Sequence, residues 1–116
     1  MHILLVDDEE EFVTTLAERL ALRGFAVEYA TKATDALVLA GNNAYDIAVL
    51  DMKMPGMGGL QLREILEQKY PNMKFIFLTG HGSEDDWRAG SSGAGYLVKP
   101  VDINTLIEKM KEATDQ

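Results

Sequence analysis

Four short apolar runs punctuate the chain, and each ends in a residue that carries chemistry. Ile3-Leu4-Leu5-Val6 runs into Asp7-Asp8, Ile47-Ala48-Val49-Leu50 into Asp51, Phe75-Ile76-Phe77-Leu78 into Thr79, and Tyr96-Leu97-Val98 into Lys99-Pro100. Runs of this length without polar alternation predict strands covered on both faces. A weaker run from Phe25 to Tyr29 predicts a further short strand. Between the runs the period changes from strand to helix. Phe12, Val13, Leu16, Ala17 and Leu20 share one face of a helix from Glu9 to Arg23, with Glu9, Glu10 and Glu11 in the first turn, where the helix dipole favours acids, and Gly24 as its stop. Thr31 is a candidate cap for a helix whose inner face is Ala33, Ala36, Leu37 and Ala40, ending near Asn42-Asn43. Leu62, Ile65 and Leu66 mark a third helix, from Leu60 to Tyr70, which Pro71 ends. Ser83 can cap a short helix from Glu84, and a last helix from about Val101 to Ala113 buries Ile103, Leu106, Ile107 and Met110.

Strand and helix thus alternate five times, which predicts an α/β chain: a doubly wound (βα)5 sandwich with a parallel sheet and right-handed crossovers. The 116 residues, 47% of them apolar, suffice for one domain, 1–116, with its own core. The absence of cysteine removes disulfides, thiolate metal sites and cysteine nucleophiles, and suits a reducing, cytoplasmic setting. Apolar stretches of this length predict no membrane span. A net charge of -8 argues against direct binding of nucleic acid and favours a basic protein partner.

The parallel arrangement gives the strand ends their meaning, because open α/β sheets hold ligands at the carboxyl ends of their strands. Asp7, Asp8 and Asp51 would meet there, and two carboxylates 4 Å apart repel by roughly 4 kcal/mol at an effective dielectric near 20. Either one acid is protonated or a divalent cation lies among them, and an all-oxygen ligand set suits Mg²⁺ or Mn²⁺. Thr79 and Lys99 facing these acids complete a site for a transferring phosphoryl group, with a carboxylate as nucleophile.

Taken together, Asp7-Asp8, Asp51-Met52-Lys53-Met54-Pro55-Gly56, Thr79-Gly80 and Lys99-Pro100, each at its strand end and in this order, resemble a response-regulator receiver domain of two-component signalling. The resemblance covers the whole chain and implies a flavodoxin-like, five-stranded parallel sheet in the order 2-1-3-4-5. By position it implies that Asp51 is the phosphoacceptor for a sensor histidine kinase or phosphotransfer protein. Asp7, Asp8, Asp51 and the backbone carbonyl of Lys53 would hold Mg²⁺. Thr79 matches the hydroxyl that moves toward the phosphoryl group, Gly80 its small neighbour and Lys99 the ammonium that pairs with phosphoryl oxygens. Tyr96 matches an aromatic that changes orientation with Thr79, and Pro100 a residue preceded by a cis peptide bond. Lys53 and His81 match positions that tune phosphoryl lifetime.

Such a domain is a switch and not an enzyme in the ordinary sense, with slow self-phosphorylation and hydrolysis only, and its downstream target is unknown. Two other readings compete. A small haloacid-dehalogenase-like phosphatase also uses Asp, Thr, Lys and Mg²⁺, but needs Asp-x-Asp where this chain has Asp7-Asp8-Glu9. A pseudo-receiver would dock a partner without taking phosphate. Met52, Met54 and Met57 read equally as an adaptable partner surface or as loop packing. Finally, residues 88–95 hold three glycines and two serines, which predicts a short or frayed helix before the fifth strand.

Overall fold

The computed structural model describes residues 1–80 and 95–115. The near-continuous apolar runs become strands β1 (His2–Val6), β3 (Ile47–Asp51) and β4 (Lys74–Thr79), with β2 (Ala26–Ala30) and β5 (Gly95–Val98) outside them. All neighbours are parallel, and the order is β2-β1-β3-β4-β5. Position in the sheet accounts for the strength of the sequence signal. All residues of central β3 are buried, whereas edge strands β2 and β5 expose Tyr29 and Val98.

Alternation along each strand divides the core in two. Leu4, Val6, Ala48, Leu50, Phe75 and Phe77 face helices α2 (Ala33–Asn42) and α3 (Gly59–Lys69). Ile3, Leu5, Ile47, Val49, Ile76 and Leu78 face α1 (Glu10–Leu22) and the C-terminal helix α4 (Ile103–Thr114). Among the described residues, two helices on each face make the doubly wound arrangement, and every strand points its carboxyl end to the same edge. The buried side of α2 is built from Ala33, Ala36 and Ala40, so its axis can approach the sheet closely.

Boundaries fall within a residue or two of expectation, with local corrections. Lys32, not Thr31, is the residue before α2, and no side chain caps that helix. The helix instead relies on its packed alanines. Asp102 does cap α4, accepting hydrogen bonds from the N–H and the hydroxyl of Thr105, both at 3.0 Å. Leu37, Ile65 and Ile107, expected on inner faces, are only partly buried, because each lies at the margin of its helix's apolar stripe. Met52 and Met54 are buried in the α2/α3 core and fill the loop interior, while Met57 packs against that core and stays partly exposed. His81 and the short helix expected from Glu84 lie outside the described residues.

Candidate functional site

The parallel register brings the polar strand ends together. Leu50 pairs with Val6, Asp51 with Leu78 and Thr79 with Val98, so Asp7, Asp51, Thr79 and Lys99 cap adjacent strands. Backbone hydrogen bonds carry the ladder one residue past each strand and fix where the side chains start. The N–H of Asp7 donates to Ala30 O at 3.1 Å, that of Met52 to Leu78 O at 2.8 Å and that of Lys99 to Thr79 O at 2.7 Å. The Lys99–Pro100 peptide bond is cis. Asp7, Asp51 and Thr79 are the buried polar side chains among the described residues, at 2%, 5% and 2% exposure, while Asp8 and the Lys53 side chain are exposed.

Carboxylate oxygens of Asp7, Asp8 and Asp51 lie within 4.8 Å of one another. Facing them, Lys99 Nζ is 2.7 Å from Asp7 Oδ2 and 3.8 Å from Asp51 Oδ1. The same ammonium lies 2.7 Å from Glu9 Oε1 and 4.7 Å from the centre of the Phe12 ring. The N–H of Glu9 donates to Asp7 Oδ1 at 2.9 Å, turning the chain from β1 into α1 around the Asp7 side chain. Tyr96, in register with Phe77, packs its ring against the α2/α3 core.

This crowding of acids shows in their ionisation. Burial pushes the Asp51 carboxyl up to about 7; the charge of Asp7 and a hydrogen bond with Asp8 push the same way, against a lowering pull from Lys99 and the Lys53 backbone N–H. Burial also raises Asp7, despite its hydrogen bond with Lys99. For Lys99, burial acts to lower the pKa, but the hydrogen bonds with Asp7 and Glu9 outweigh it and the group is held above its ordinary value. An acid cluster that cannot ionise freely fits a small hard cation, which would supply the positive charge that one lysine does not.

Three residues of this region were not assigned a role by sequence reasoning. Glu9 reads as a dipole-favoured helix start and Phe12 as core, and no local spacing reveals that Lys99, 90 positions after Glu9, reaches both. Gly59 opens α3 beside the Asp51 carbonyl, where an added Cβ would lie 2.3 Å from that oxygen. The Gly58-Gly59 pair ahead of a helical pattern was the available signal, since glycine at such a place marks a close backbone approach.

Comparisons with known proteins agree with this geometry. The family profile described as response regulator receiver domain matches residues 3–111. The transcriptional regulatory protein GlrR of Escherichia coli is 32% identical over 99% of the chain, which spans 26% of that regulator's length. A receiver domain protein from Methanospirillum hungatei, described as CheY-like, superposes with a TM-score of 0.87 at 34% identity, covering 98% of this chain and 93% of that one. A response regulator from Burkholderia pseudomallei, solved with a phosphorylated aspartic acid, calcium ion and citrate, has a TM-score of 0.87 at 31% identity, covering 98% of this chain and 68% of that one. With the five-stranded order, the two-sided helical cover and the acid-and-lysine strand ends all in place, the chain belongs to the response-regulator receiver domains of two-component signalling.

Proposed function

We propose that Asp51 accepts a phosphoryl group from the phosphohistidine of a sensor kinase or phosphotransfer protein, and that Mg²⁺ is held for this step by Asp7, Asp8, Asp51 and the backbone carbonyl of Lys53. The observation that carries the reading is one buried carboxylate, Asp51, set between two further acids and an ammonium 3.8 Å away. A regulator 31% identical to this chain, solved with a phosphorylated aspartic acid and a calcium ion, supports both parts.

In the transfer, an Asp51 carboxylate oxygen bonds to phosphorus as the phosphorus–nitrogen bond breaks, and the electron pair leaves with the imidazole nitrogen, which takes up a proton. Asp51 must be ionised to attack, and its raised pKa works against that until its neighbours are neutralised. A divalent cation held by Asp7, Asp8, Asp51 and the Lys53 carbonyl would supply that neutralisation and balance charge on the phosphoryl oxygens. Lys99 donates to one of those oxygens, and burial of Asp51 and Asp7 keeps water from weakening the interaction. The Thr79 hydroxyl donates to another, and Tyr96, whose ring already packs against the α2/α3 core, changes orientation with Thr79 and carries the change to the surface around β5. The receiver is therefore a switch whose output is a shape.

Intact mass tests the assignment. Wild type incubated with acetyl phosphate and Mg²⁺ should gain one phosphoryl group, and Asp51→Asn should gain none. Equal uptake by the two proteins would remove Asp51 from the role.

A further inference from the structure

Lys99 is closer to other partners than to Asp51, and two of them, Glu9 and Phe12, were not assigned to it from the sequence. Its ammonium donates to Glu9 Oε1 at 2.7 Å and forms an ion pair with Asp7 Oδ2 at the same distance, while Asp51 is at 3.8 Å and the Phe12 ring closes a further side. A phosphoryl group on Asp51 would compete with these contacts for the ammonium. Asp7 is buried within the acid cluster and is not separable from it. Glu9 is different: its side chain is 63% exposed, it stands outside the cluster of carboxylates that share a cation-sized space, and beside its bond to Lys99 its charge has only a minor raising effect on Asp7.

We propose that Glu9 is a positioning residue that sets, through Lys99, the rate at which Asp51 takes a phosphoryl group. The inference rests on the reading of Asp51 as acceptor. Glu9 acts as a competitor: it draws the ammonium toward the outer edge of the site, against the phosphoryl oxygens on Asp51. In the reaction with acetyl phosphate, the Asp51 oxygen bonds to phosphorus, the phosphorus–oxygen bond to the acyl group breaks, and the electron pair leaves with acetate. Lys99 freed from Glu9 reaches the phosphoryl oxygens more often as charge shifts onto them.

The solvent exposure of Glu9 limits the size of the effect. Exposed ion pairs are weak, so removing this one should accelerate transfer by about 2–5-fold and no more. Initial rates of phosphoryl uptake from acetyl phosphate with saturating Mg²⁺, followed by intact mass, are to be compared for wild type, Glu9→Ala, Glu9→Gln, Glu10→Ala, Lys99→Met and the Glu9→Ala/Lys99→Met double variant. Glu10 is exposed one position on and controls for loss of negative charge near an anionic donor. The expected result is faster uptake by both Glu9 variants, an unchanged rate for Glu10→Ala, and no added effect of Glu9→Ala once Lys99 is replaced. Unaltered Glu9 variants, an equal gain in Glu10→Ala, or a gain that persists without Lys99 would each overturn the role of Glu9. Asp51→Asn in the same series separates the two claims. Uptake by wild type but not by Asp51→Asn leaves the acceptor assignment standing whatever Glu9 does, and absence of uptake by wild type overturns both.

Discussion

At the residue scale, the site works against the fold that carries it. The unfolded chain ionises Asp51 near 3.8, but burial and its acidic neighbours raise that pKa to about 7 in the native protein. Between these two values the native state binds more protons, so stability is highest at the acid end and falls as pH rises toward 7, where the full cost of the buried charge is reached. Asp7, also raised by burial, contributes with the same sign. Asp51→Asn removes the ionising group and keeps the shape. Without divalent cations it should be more stable than wild type by about 1–3 kcal/mol at pH 8, with the gain shrinking toward zero near pH 4. Urea melts at the two pH values check this, and a variant less stable than wild type at pH 8 would mean that the attraction to Lys99 outweighs burial. Sequence reasoning reached this cluster because like charges at adjacent strand ends have few physical solutions. It did not reach Glu9, because a glutamate in the first turn of a helix already has a sufficient explanation in the dipole.

At the element scale, the junction between β3 and α3 decides where Asp51 sits. The N–H of Gly59 donates to Met52 O at 3.1 Å, and the start of α3 is drawn so close to the strand end that a methyl group on Gly59 would overlap the Asp51 carbonyl. Backbone on both sides leaves little room to give. Gly59→Ala should therefore cost about 1–3 kcal/mol of stability and slow phosphoryl uptake by displacing Asp51. Gly41 provides the contrast, since it lies within α2 with open space where its Cβ would be. There, alanine should stabilise by about 0.5–1 kcal/mol through helix propensity alone and leave uptake unchanged. Thermal melts of both variants read the difference, and loss of stability in both would point to a general intolerance of substitution. The elements themselves were legible, because a four-residue apolar run and a 3.6-residue period leave little ambiguity when they alternate. Cap residues were less so: Thr31 has the right chemistry to cap α2, yet Lys32 takes the position, since helix ends are set by packing as much as by local hydrogen bonds.

At the scale of the whole molecule, alternation of strand and helix predicts the parallel sandwich, while the strand order was legible only through the receiver-domain resemblance that the strand-end residues carry. The structure has that order, and its adjacent β1 and β3 bring the acids at their ends together. Which protein docks on the finished surface is not encoded in this way, because exposed positions are only loosely tied to the fold. The shared acid cluster does make one molecule-wide quantity measurable. A cation that binds Asp7, Asp8 and Asp51 in the folded chain meets no such assembly in the unfolded one, so binding must raise stability by the linkage relation. At ten times its dissociation constant, Mg²⁺ should add about 1.4 kcal/mol, which for a domain of this size is a rise of roughly 4–7 °C in Tm. Asp8→Ala should blunt the rise, because Asp8 is the exposed member of the cluster and its loss leaves the buried pair in place. Asp51→Asn should start from a higher Tm and respond less, as its repulsion has already been relieved. Calorimetric scans over a Mg²⁺ series, with a matched series of a monovalent salt to account for screening, give the comparison. An unchanged Tm in wild type would show that this acid cluster does not hold the ion, and an Asp8→Ala response equal to wild type would remove Asp8 from the ligands.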